Sequence, residues 1–523
     1  MPEANRARAI ALVGGGPRGL FALDCLCGWA ACYPDRQLTI TLYDPAARPG
    51  AGPVYDPSQP AYLLMNFVAG LIDAWDRSFV VNEQRPTLVE WLARMDSAAA
   101  DPGAYVPRAT VGRYLMACYE MLARGLPANV TLVHRQVFVD DVMRHGMCWR
   151  IVAAGHTDLA DEVLITTGHQ AWQSRPGERP VSVFPAARLA EYGRTPEAVL
   201  HCKGFGLTFI DAALALTVGR GGRFETNEAG RLDYRASGHE PACIRPVSRT
   251  GRPMLAKPDP GVIQATAARD DIVAELSRWL AERPRPINDF IGDIWPAFLD
   301  AADAYIQAAA GTTRAWFTAW SDTHQDADEA RATLQESWAM ATGRCPPGPG
   351  VALALVWRGA YPALVRIVSH GGLASAAWAA FRAVATEMER IAFGPAAGNI
   401  ARLLALIEAG RVDLSALGPP ADVPCEIDAT IAPPYRLDPA GPLPGLVARE
   451  HLARTAYDTL AVDHQGRPIH APSGQPVAGL AVIGRVTELS VLGNDTLSRR
   501  LHDTMRQWAA TMFEVPAHEN RVT

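Results

Sequence analysis

Hydrophobic positions follow two alternating patterns in the first half of the chain. Short apolar, partly β-branched runs at residues 10–13 and Leu38–Tyr43 are typical of buried parallel strands, and the apolar stretch 20–30 between them predicts a helix. This order predicts an α/β domain with a parallel sheet. Further strand patterns occur at residues 130–133, 137–142, 149–153, 162–166, 199–202, 426–431, 460–463 and 479–483.

Helical patterns dominate from residue 262 to about 417, and a glycine- and proline-rich stretch at 343–350 interrupts them. We therefore predict a discontinuous first domain, a second α/β domain and a helical insertion on the substrate side. The predicted boundaries are 1–190 for the first part of the first domain, 191–261 for the second domain, 262–420 for the insertion and 421–523 for the return to the first domain.

A glycine-rich turn follows the first strand pattern. Gly14, Gly16 and Gly19 have the G-x-G-x-x-G spacing, in which the glycines permit a tight turn, close approach to a pyrophosphate and close packing of helix on strand. Asp44 ends the second strand, where its carboxylate can accept hydrogen bonds from an adenosine ribose. The spacing predicts a dinucleotide site, with a purely structural turn as the alternative. Cofactor contacts are predicted for Gly14, Gly15, Gly16, Pro17, Arg18, Gly19 and Asp44.

A second glycine turn follows the strand pattern at 199–202. Gly204 and Gly206 are present but Phe209 occupies the third glycine position, so the turn predicts either a nicotinamide dinucleotide site or a remodelled one. Arg220 and Arg223 beyond the next helix are candidates for binding the 2′-phosphate of NADP. A basic helix C-terminus favoured by the helix dipole is the alternative.

Charge and cysteine content narrow the function classes. The formal net charge is −6 and the basic residues are scattered, which disfavours binding to nucleic acids and anionic membranes. Nine cysteines without C-x-x-C spacing predict reduced thiols in a cytoplasmic protein, and the histidines lack the spacing of a metal site. The N-terminus has no apolar run of the signal-peptide kind, and no uncharged apolar stretch of about 20 residues predicts a membrane span.

Several motifs together resemble a known family. They are GGGPRGL at 14–20, TTGH at 166–169, GFGLT at 204–208, GRVTE at 484–488 and GNDTLSRRLH at 493–502. In combination they resemble bacterial FAD/NAD(P)-binding proteins related to class B flavin-dependent monooxygenases. Within these proteins they resemble the branch that includes amino-acid N-oxygenases, of which the nitrosuccinate-forming aspartate N-monooxygenases are an example. The resemblance implies an α/β fold with two Rossmann-like dinucleotide-binding domains, a discontinuous FAD domain and a mostly helical insertion.

The resemblance also implies residues near the flavin. Thr167 and Gly168 would lie where the chain crosses between the two domains, and Gly52 would lie in a loop beside the dinucleotide unless that loop is a plain surface turn. The resemblance also places Gly484, Arg485, Asn494 and Asp495 near the ribityl chain and pyrophosphate of the flavin. Arg485, however, occupies a position where such proteins carry an acid. Asn494 and Asp495 are also predicted to cap a last helix over residues 497–510.

Candidate groups for the substrate come from polar residues in apolar or basic settings. Asn66 is either a satisfied core amide or a catalytic amide at the flavin ring. A basic loop with Arg249, Arg252 and Lys257 is predicted either to bind phosphate or a substrate carboxylate, or to be solvated. Arg249, together with Arg358 and Tyr361 of the helical region, is predicted to contact the substrate.

The implied function is that of an FAD-dependent, NADPH-consuming monooxygenase. By resemblance, it hydroxylates the nitrogen of an amino acid or small amine with molecular oxygen through a flavin hydroperoxide. The expected cofactors are FAD and NADPH, with no metal, no nucleic acid and a possible homo-oligomer. The alternatives are a flavoprotein oxidase or dehydrogenase without productive NAD(P)H use, and a non-catalytic dinucleotide-binding protein.

Overall fold

The computed structural model of the protein describes most of the chain. The described residues are 6–79, 85–95, 100–169, 180–193, 195, 197–263, 267–418, 423–434, 436–494 and 496–513. Within them the strands are β1 Arg8–Val13, β2 Leu38–Tyr43, β3 Val130–Arg135, β4 Asp141–His145, β5 Cys148–Ala153, β6 His156–Ala160, β7 Glu162–Ile165, β8 Val181–Ser182, β9 Val199–Lys203, β10 Arg223–Thr226, β11 Leu232–Arg235, β12 Cys243–Val247, β13 Ile427–Asp428 and β14 Leu480–Val482. The α-helices are α1 Pro17–Cys32, α2 Leu88–Met95, α3 Arg108–Arg124, α4 Ala187–Glu191, α5 Leu207–Leu216, α6 Ala267–Ala281, α7 Phe290–Asp293, α8 Trp295–Tyr305, α9 Thr312–Asp322, α10 Ala327–Ala341, α11 Pro349–Val368, α12 Trp378–Ala392, α13 Ala397–Glu408, α14 Pro442–Ala448 and α15 Thr504–Ala510.

Five parallel strands form the sheet of the first domain, in the spatial order β14-β7-β1-β2-β3. The central strand β1 pairs with β2 on one side and with β7 on the other, and its last four residues are buried, as their apolar character predicts. One face packs against α1, α3 and α15, and the other packs against the antiparallel β4–β6 meander. The turns that follow β1, β7 and β14 therefore meet at the carboxyl edge of one sheet, where α/β folds bind ligands.

A second parallel sheet has the order β12-β9-β13-β8, and β10 and β11 form a separate hairpin. These two parallel sheets confirm the predicted α/β fold. The predicted domain boundaries differ from the strand pairing at two places. β8 lies before residue 190 and β13 lies after residue 421, yet they pair with each other and β13 also pairs with β9, so both belong to the second domain. Pairing between strands so distant in sequence leaves no mark in the local hydrophobic pattern.

The helical region contains two different cores. Helices α6–α9, α11 and α12 surround one core that includes Trp295, Trp357 and Phe381. Helices α10 and α13 instead pack on the second domain, where Leu334 and Ile400 join the core of the second sheet. The predicted insertion 262–420 is therefore helical, but it is not one independent unit.

Several predicted elements differ in their bounds. The strand predicted at 137–142 is displaced to β4, the neighbouring β6 was not predicted, and residues 460–463 form isolated bridges rather than a strand. The last helix starts at Thr504 instead of residue 497. Arg499, in the part predicted as helix, instead enters the first domain and forms an ion pair with Asp24 at 2.6 Å. This buried pairing outweighs the local helical preference of the segment.

One helix is long and apolar enough to cross a membrane, although the sequence pattern did not single it out. It is α11, and 67% of its most apolar window is buried inside the protein. Arg358 and Arg366 interrupt its apolar composition, and Trp357 lies in the helical core. These contacts are those of a core helix in a folded domain.

Candidate functional site

The first glycine turn uses two of its glycines for the protein's own packing. Gly14 has φ +106°, and a Cβ there would lie 2.6 Å from the Thr166 carbonyl oxygen. A Cβ on Gly19 would lie 2.1 Å from the Gly14 carbonyl oxygen, so helix α1 can approach β1 only because residue 19 has no side chain. Any larger residue at these positions would disturb the turn itself.

Gly16 differs from these two glycines because the protein leaves room beside it. The nearest atom to a Cβ placed there is the Cα of Gly52, at 3.6 Å, which is ordinary contact. Gly16 is also the N-cap of α1, Pro17 follows as a first-turn proline, and Gly16 makes no side-chain cap. A helix N-terminus bordered by two glycine backbones is a suitable binding site for a pyrophosphate. These residues therefore fit the dinucleotide that the spacing predicts.

Asp44 fixes the turn to the end of β2. Its Oδ2 accepts a hydrogen bond from the Gly15 amide at 2.6 Å, and its Oδ1 accepts one from the Ala46 amide at 2.9 Å. Each carboxylate oxygen has a second lone pair, so both can also accept from a ribose hydroxyl. The structure thus adds a positioning role for Asp44, and its ribose contact stays a prediction.

The crossing after β7 packs directly on this turn. Thr166 donates from its hydroxyl to the Gly14 carbonyl at 2.9 Å, which joins the ends of β7 and β1. Thr167 is half-buried, and Gly168 is exposed with φ +69°. Both residues lie at the carboxyl edge of the sheet, and their contact with a cofactor stays a prediction.

The C-terminal glycine segment reaches the same helix N-terminus. Arg18 donates to the carbonyl oxygens of Asn494 and Thr496, both at 2.8 Å. Asn494 is buried and its side-chain amide donates to the Thr487 hydroxyl at 2.9 Å, so it does not cap a helix as predicted. Asp495 lies outside the described residues. Asn494 instead holds together the two loops that follow β14.

A pocket lies between α1 and the segment after β14. It encloses about 550 Å³ of empty volume, partly open to solvent, and its lining includes Arg18, Gly484, Thr487, Asn494, Arg499 and His502. Gly484 has φ +127°, and no atom lies within 4 Å of a Cβ placed there. Arg485, just outside this lining, lies 3.8 Å from Glu488 Oε2. The structure thus brings together the predicted residues Arg18, Gly484 and Asn494 from opposite ends of the chain.

A charged cluster under this pocket was not predicted from the sequence. Arg499 lies 2.6 Å from Asp24 and 3.6 Å from Asp76 and donates to the Cys25 sulfur. Burial raises the pKa of Asp76, but Arg499 and hydrogen bonds from Ser78 outweigh it, so that pKa lies below its usual value. Burial raises the pKa of the Cys25 thiol well above its usual value, which keeps the thiol protonated.

Asn66 contacts the basic loop that precedes the helical region through its main-chain carbonyl. Its carbonyl oxygen accepts a hydrogen bond from the Lys257 ammonium, while its side-chain amide, half-buried, has no hydrogen-bond partner among the residues the structure describes. The amide is therefore not the satisfied core group of the first interpretation, and it remains available to a ligand. Its catalytic role stays a prediction.

Arg358 lies near Lys257 at the same boundary between the first domain and the helical region. It projects from α11, donates to the Ala392 carbonyl, and lowers the pKa of Lys257. Burial lowers the pKa of Arg358 to about 10, while Tyr105 of the first domain and Tyr305 of α8 oppose this shift. Lys257 thus lies between Asn66, which it contacts, and Arg358, whose charge acts on it, and the substrate contact of Arg358 stays a prediction.

Tyr361 and Arg249 occupy different places. The Tyr361 ring lies against the C-terminal glycine loop, where its Cε1 would be 3.1 Å from a Cβ on Gly493. Arg249 is exposed just beyond the carboxyl end of β12, and its charge helps to lower the pKa of Arg390. The basic loop is otherwise not solvated, since Arg252 is buried and lies 2.7 Å from Glu387.

The second glycine turn is covered by apolar side chains. Gly204 has φ +105° and Gly206 is the N-cap of α5, as the motif predicts. Phe209 is fully buried and its ring contacts Phe205, with centroids 5.6 Å apart. A pocket of about 210 Å³ beside the turn is lined by Phe205, Gly206, Phe209, Ile210, Pro253, Met254, Leu334, Pro395, Ile400 and Leu403.

The two arginines after this turn have different environments. Arg220 is buried, and its guanidinium donates to the main-chain carbonyls of Leu189, Tyr192, Gly193 and His239. This inward position does not support a contact with a 2′-phosphate, since the donors are used inside the domain. Arg223 is exposed at the start of β10 and lies 2.9 Å from Glu225.

The comparison with protein families identifies the first glycine turn. Residues 11–170, which contain the turn, Asp44 and the crossing at Thr167, match a family described as FAD-NAD(P)-binding. This region is therefore similar to FAD-NAD(P)-binding proteins. The match agrees with the motif resemblance, which is thereby confirmed for the N-terminal part of the chain.

Two relatives are similar to this chain over a longer stretch than residues 11–170. An L-aspartate N-monooxygenase (nitrosuccinate-forming) from Streptomyces davaonensis is 31% identical over 344 residues, which are 56% of this chain and 51% of the relative. A nitrosuccinic acid synthase from Aspergillus oryzae is 32% identical over 280 residues, which are 49% of this chain and 42% of the relative. The chain thus matches about half the length of these relatives.

Solved structures of two hydroxylases align along nearly the whole chain. The reduced form of ornithine hydroxylase from Pseudomonas aeruginosa is 11% identical, with 97% of this chain and 99% of that chain covered and a TM-score of 0.48. L-lysine 6-monooxygenase from Pseudomonas syringae is 12% identical, with the same coverage and a TM-score of 0.44.

Lys257 has a position that the pattern of the basic loop does not reveal. Its ammonium joins the loop to the Asn66 carbonyl of the first domain. The composition could have drawn attention to this residue. Lys203 and Lys257 are the two lysines among 49 lysine and arginine residues. Among the residues that the structure describes, no cluster of three potential metal ligands occurs.

Proposed function

We propose that the protein is an FAD-dependent, NADPH-consuming monooxygenase that hydroxylates the nitrogen of an amino acid or a related small amine. The observation that carries this proposal is the room beside Gly16 at the N-terminus of α1, in a domain of the FAD-NAD(P)-binding family. The relatives named above, both described as acting in nitrosuccinate formation, support the choice of an amino acid. A cytoplasmic location and a possible homo-oligomer belong to the same proposal.

Binding of FAD would use the groups around the first glycine turn. Gly16 and Gly52 allow the pyrophosphate to approach the main chain, and the N-terminus of α1 offers its free amides and positive dipole end. Asp44 holds the turn and can accept from the ribose. Bound FAD would supply the redox chemistry, namely two-electron reduction by NADPH and activation of molecular oxygen.

The substrate side is formed where the FAD-NAD(P)-binding domain meets the helical region. Asn66 offers an amide that can donate to the flavin or to the substrate, and Arg358 offers a cation. The nitrogen to be hydroxylated must carry a lone pair, so the site has to bind an amine in its unprotonated form. Packing of α11 over this boundary would limit the access of water during oxygen transfer.

The test is a flavin reduction experiment with the purified yellow holoenzyme. Under nitrogen, NADPH should bleach the flavin absorbance, and readmission of oxygen with the correct amino acid should give a hydroxylamine, oxime or nitroso product detectable by mass spectrometry. A panel of amino acids and amines identifies the substrate by coupling of NADPH consumption to product. Failure of NADPH to reduce the flavin, with or without the panel, would refute the proposal.

A second candidate is a flavoprotein oxidase or dehydrogenase that does not use NAD(P)H. The apolar cover of the second glycine turn, with Phe209 at the third position, favours it. In that case the flavin would be bleached anaerobically by an amine or amino acid alone and not by NADPH. The same anaerobic experiment therefore separates the two functions.

A further inference from the structure

Lys257 and Arg358 are two neighbouring cations at the domain boundary. Lys257 is 9% exposed, and its ammonium donates to the Asn66 main-chain carbonyl. Arg358 donates to the Ala392 carbonyl. Among the described residues, neither side chain has a carboxylate oxygen within the 4.0 Å of an ion pair. Two like charges thus share a desolvated site, and the part of the chain that the structure describes places no counter-ion in contact with them.

The groups that face this pair come from four elements. Glu389 of α12 acts on Lys257 from beyond contact distance and favours its charged form. Tyr105 and Tyr305 face Arg358 from the first domain and from α8. Asp259, two residues after Lys257, acts on Tyr105, and its own pKa is raised by burial. These groups leave the local charge of the pair uncompensated by direct contact.

Such an arrangement is costly for the folded protein. A buried ammonium loses its hydration, and a neighbouring guanidinium adds repulsion. Buried charges in proteins are normally paired or bind an ion. The chain also uses lysine here although nearly all its other basic residues are arginine. A ligand of opposite charge would remove the cost.

We propose that Lys257 and Arg358 form a subsite that binds a carboxylate group of the substrate. The inference rests on the proposed function, because it places the carboxylate of an amino acid next to Asn66 at the flavin. It adds two points to that function. It names the residues that recognise the substrate carboxylate, and it couples substrate binding to the uptake of a proton. Of the three basic residues in the loop at 249–257, the proposal selects Lys257 as the ligand residue, and it gives Arg358 a partner.

The coupling follows from the ionisation of Lys257. Burial, with the charge of Arg358, lowers the pKa of Lys257 to about 7 in the absence of a ligand, while Glu389 opposes the shift. A bound carboxylate favours the ammonium, so binding above this pH is accompanied by uptake of a proton. Affinity should therefore be constant below about pH 6 and fall about tenfold for each pH unit above 7.

The test measures succinate binding to the FAD-loaded enzyme by isothermal titration calorimetry. Succinate carries carboxylates but no amine, so its binding does not depend on turnover or on the substrate's own ammonium. Lys257→Met and Arg358→Gln should each weaken binding at least tenfold at pH 6.5, with FAD content unchanged. The matched control Arg314→Gln, an exposed arginine of α9, should bind as wild type does.

Two further measurements isolate the lysine. Titrations at pH 8 in buffers of different ionisation enthalpy should show uptake of close to one proton by wild type. Lys257→Arg keeps the charge at all these pH values, so it should bind succinate with an affinity that hardly changes between pH 6.5 and 9. This variant keeps the proposal testable if Lys257→Met folds poorly.

The outcome that overturns the proposal is succinate binding by Lys257→Met equal to that of wild type. If Lys257→Met and Arg358→Gln weakened the binding of adenosine 2′,5′-bisphosphate and left succinate binding unaffected, the two cations would be assigned to the dinucleotide phosphate. That result would also overturn the proposal. A failure of the proposed function is separate, since it would appear as missing N-oxygenated product while the succinate results stand.

Discussion

Arg108 of the first domain and Asp211 of the second form a buried ion pair, with a guanidinium nitrogen 2.7 Å from Asp211 Oδ2. Arg108 begins α3, Asp211 lies within α5, and the arginine also stacks over the Phe184 ring. The two α/β domains are therefore joined by a charge pair that is largely shielded from solvent. Burial raises the pKa of Asp211, and Arg108 only partly opposes this.

Removal of one partner of this pair should destabilise the protein strongly. Arg108→Met leaves the Asp211 carboxylate buried and unpaired, so we expect a loss of about 3 kcal/mol in unfolding free energy. The double variant Arg108→Met with Asp211→Leu should recover most of that loss. Chemical denaturation of wild type, the single variant and the double variant measures these unfolding free energies. Equal stability of the single and double variants would show that the two residues are not coupled.

The raised pKa of Asp211 adds a pH dependence with a defined sign. A carboxyl whose folded pKa lies above its unfolded value of 3.8 contributes stability that is present at low pH and is lost as pH rises through the folded pKa. Asp211→Asn, which keeps the shape without the charge, should remove this contribution to the pH profile of the melting temperature.

Gly16→Ala and Gly19→Ala should have different effects although they are three residues apart. A Cβ on Gly19 would collide with the Gly14 carbonyl, so Gly19→Ala should lower the melting temperature of the apoprotein. Gly16→Ala meets only ordinary contacts, so the apoprotein should fold normally but bind FAD at least tenfold more weakly. Thermal melting and flavin absorbance after gel filtration measure the two effects. Normal flavin content in Gly16→Ala would refute the cofactor site.

Arg220→Ala and Arg223→Ala form a second contrasting pair. Loss of the Arg220 guanidinium leaves several buried carbonyls without a donor, and we expect a cost of about 2–4 kcal/mol. Arg223 is exposed beside Glu225, so its replacement should change stability by less than about 0.5 kcal/mol. A selective rise in the KM for NADPH over NADH in a folded Arg220→Ala protein would instead restore the 2′-phosphate role.

Lys257→Met should stabilise the ligand-free protein while it impairs ligand binding. The folded pKa of Lys257 is about 7 against an ordinary value of 10.5, so wild type loses stability as pH falls from about 10 to about 7. The variant lacks this group and should melt a few degrees higher at pH 6.5, with the difference vanishing towards pH 10. A melting temperature of the variant below that of wild type at pH 6.5 would contradict the inference that Lys257 is a buried, destabilising charge.

The sequence by itself determined the features that depend on neighbouring residues. Strands β1 and β2, helix α1 and the turn with Gly14, Gly16 and Gly19 follow from local hydrophobic pattern and backbone freedom. The break between α10 and α11 at the glycine- and proline-rich stretch is equally local. Family resemblance of the glycine motifs was sufficient to predict the similarity of residues 11–170 to FAD-NAD(P)-binding proteins.

Tertiary structure alone decided the features that depend on distant partners. It placed β13 in the second sheet, moved the start of the last helix from residue 497 to Thr504 because Arg499 enters the first domain, and turned Arg220 inward. It also brought Lys257 to Asn66 and Arg358, which lie 191 residues and about 100 residues away along the chain. Whether a charged side chain is solvated, paired or buried with a like charge depends on what packs around it, and no local pattern contains that information.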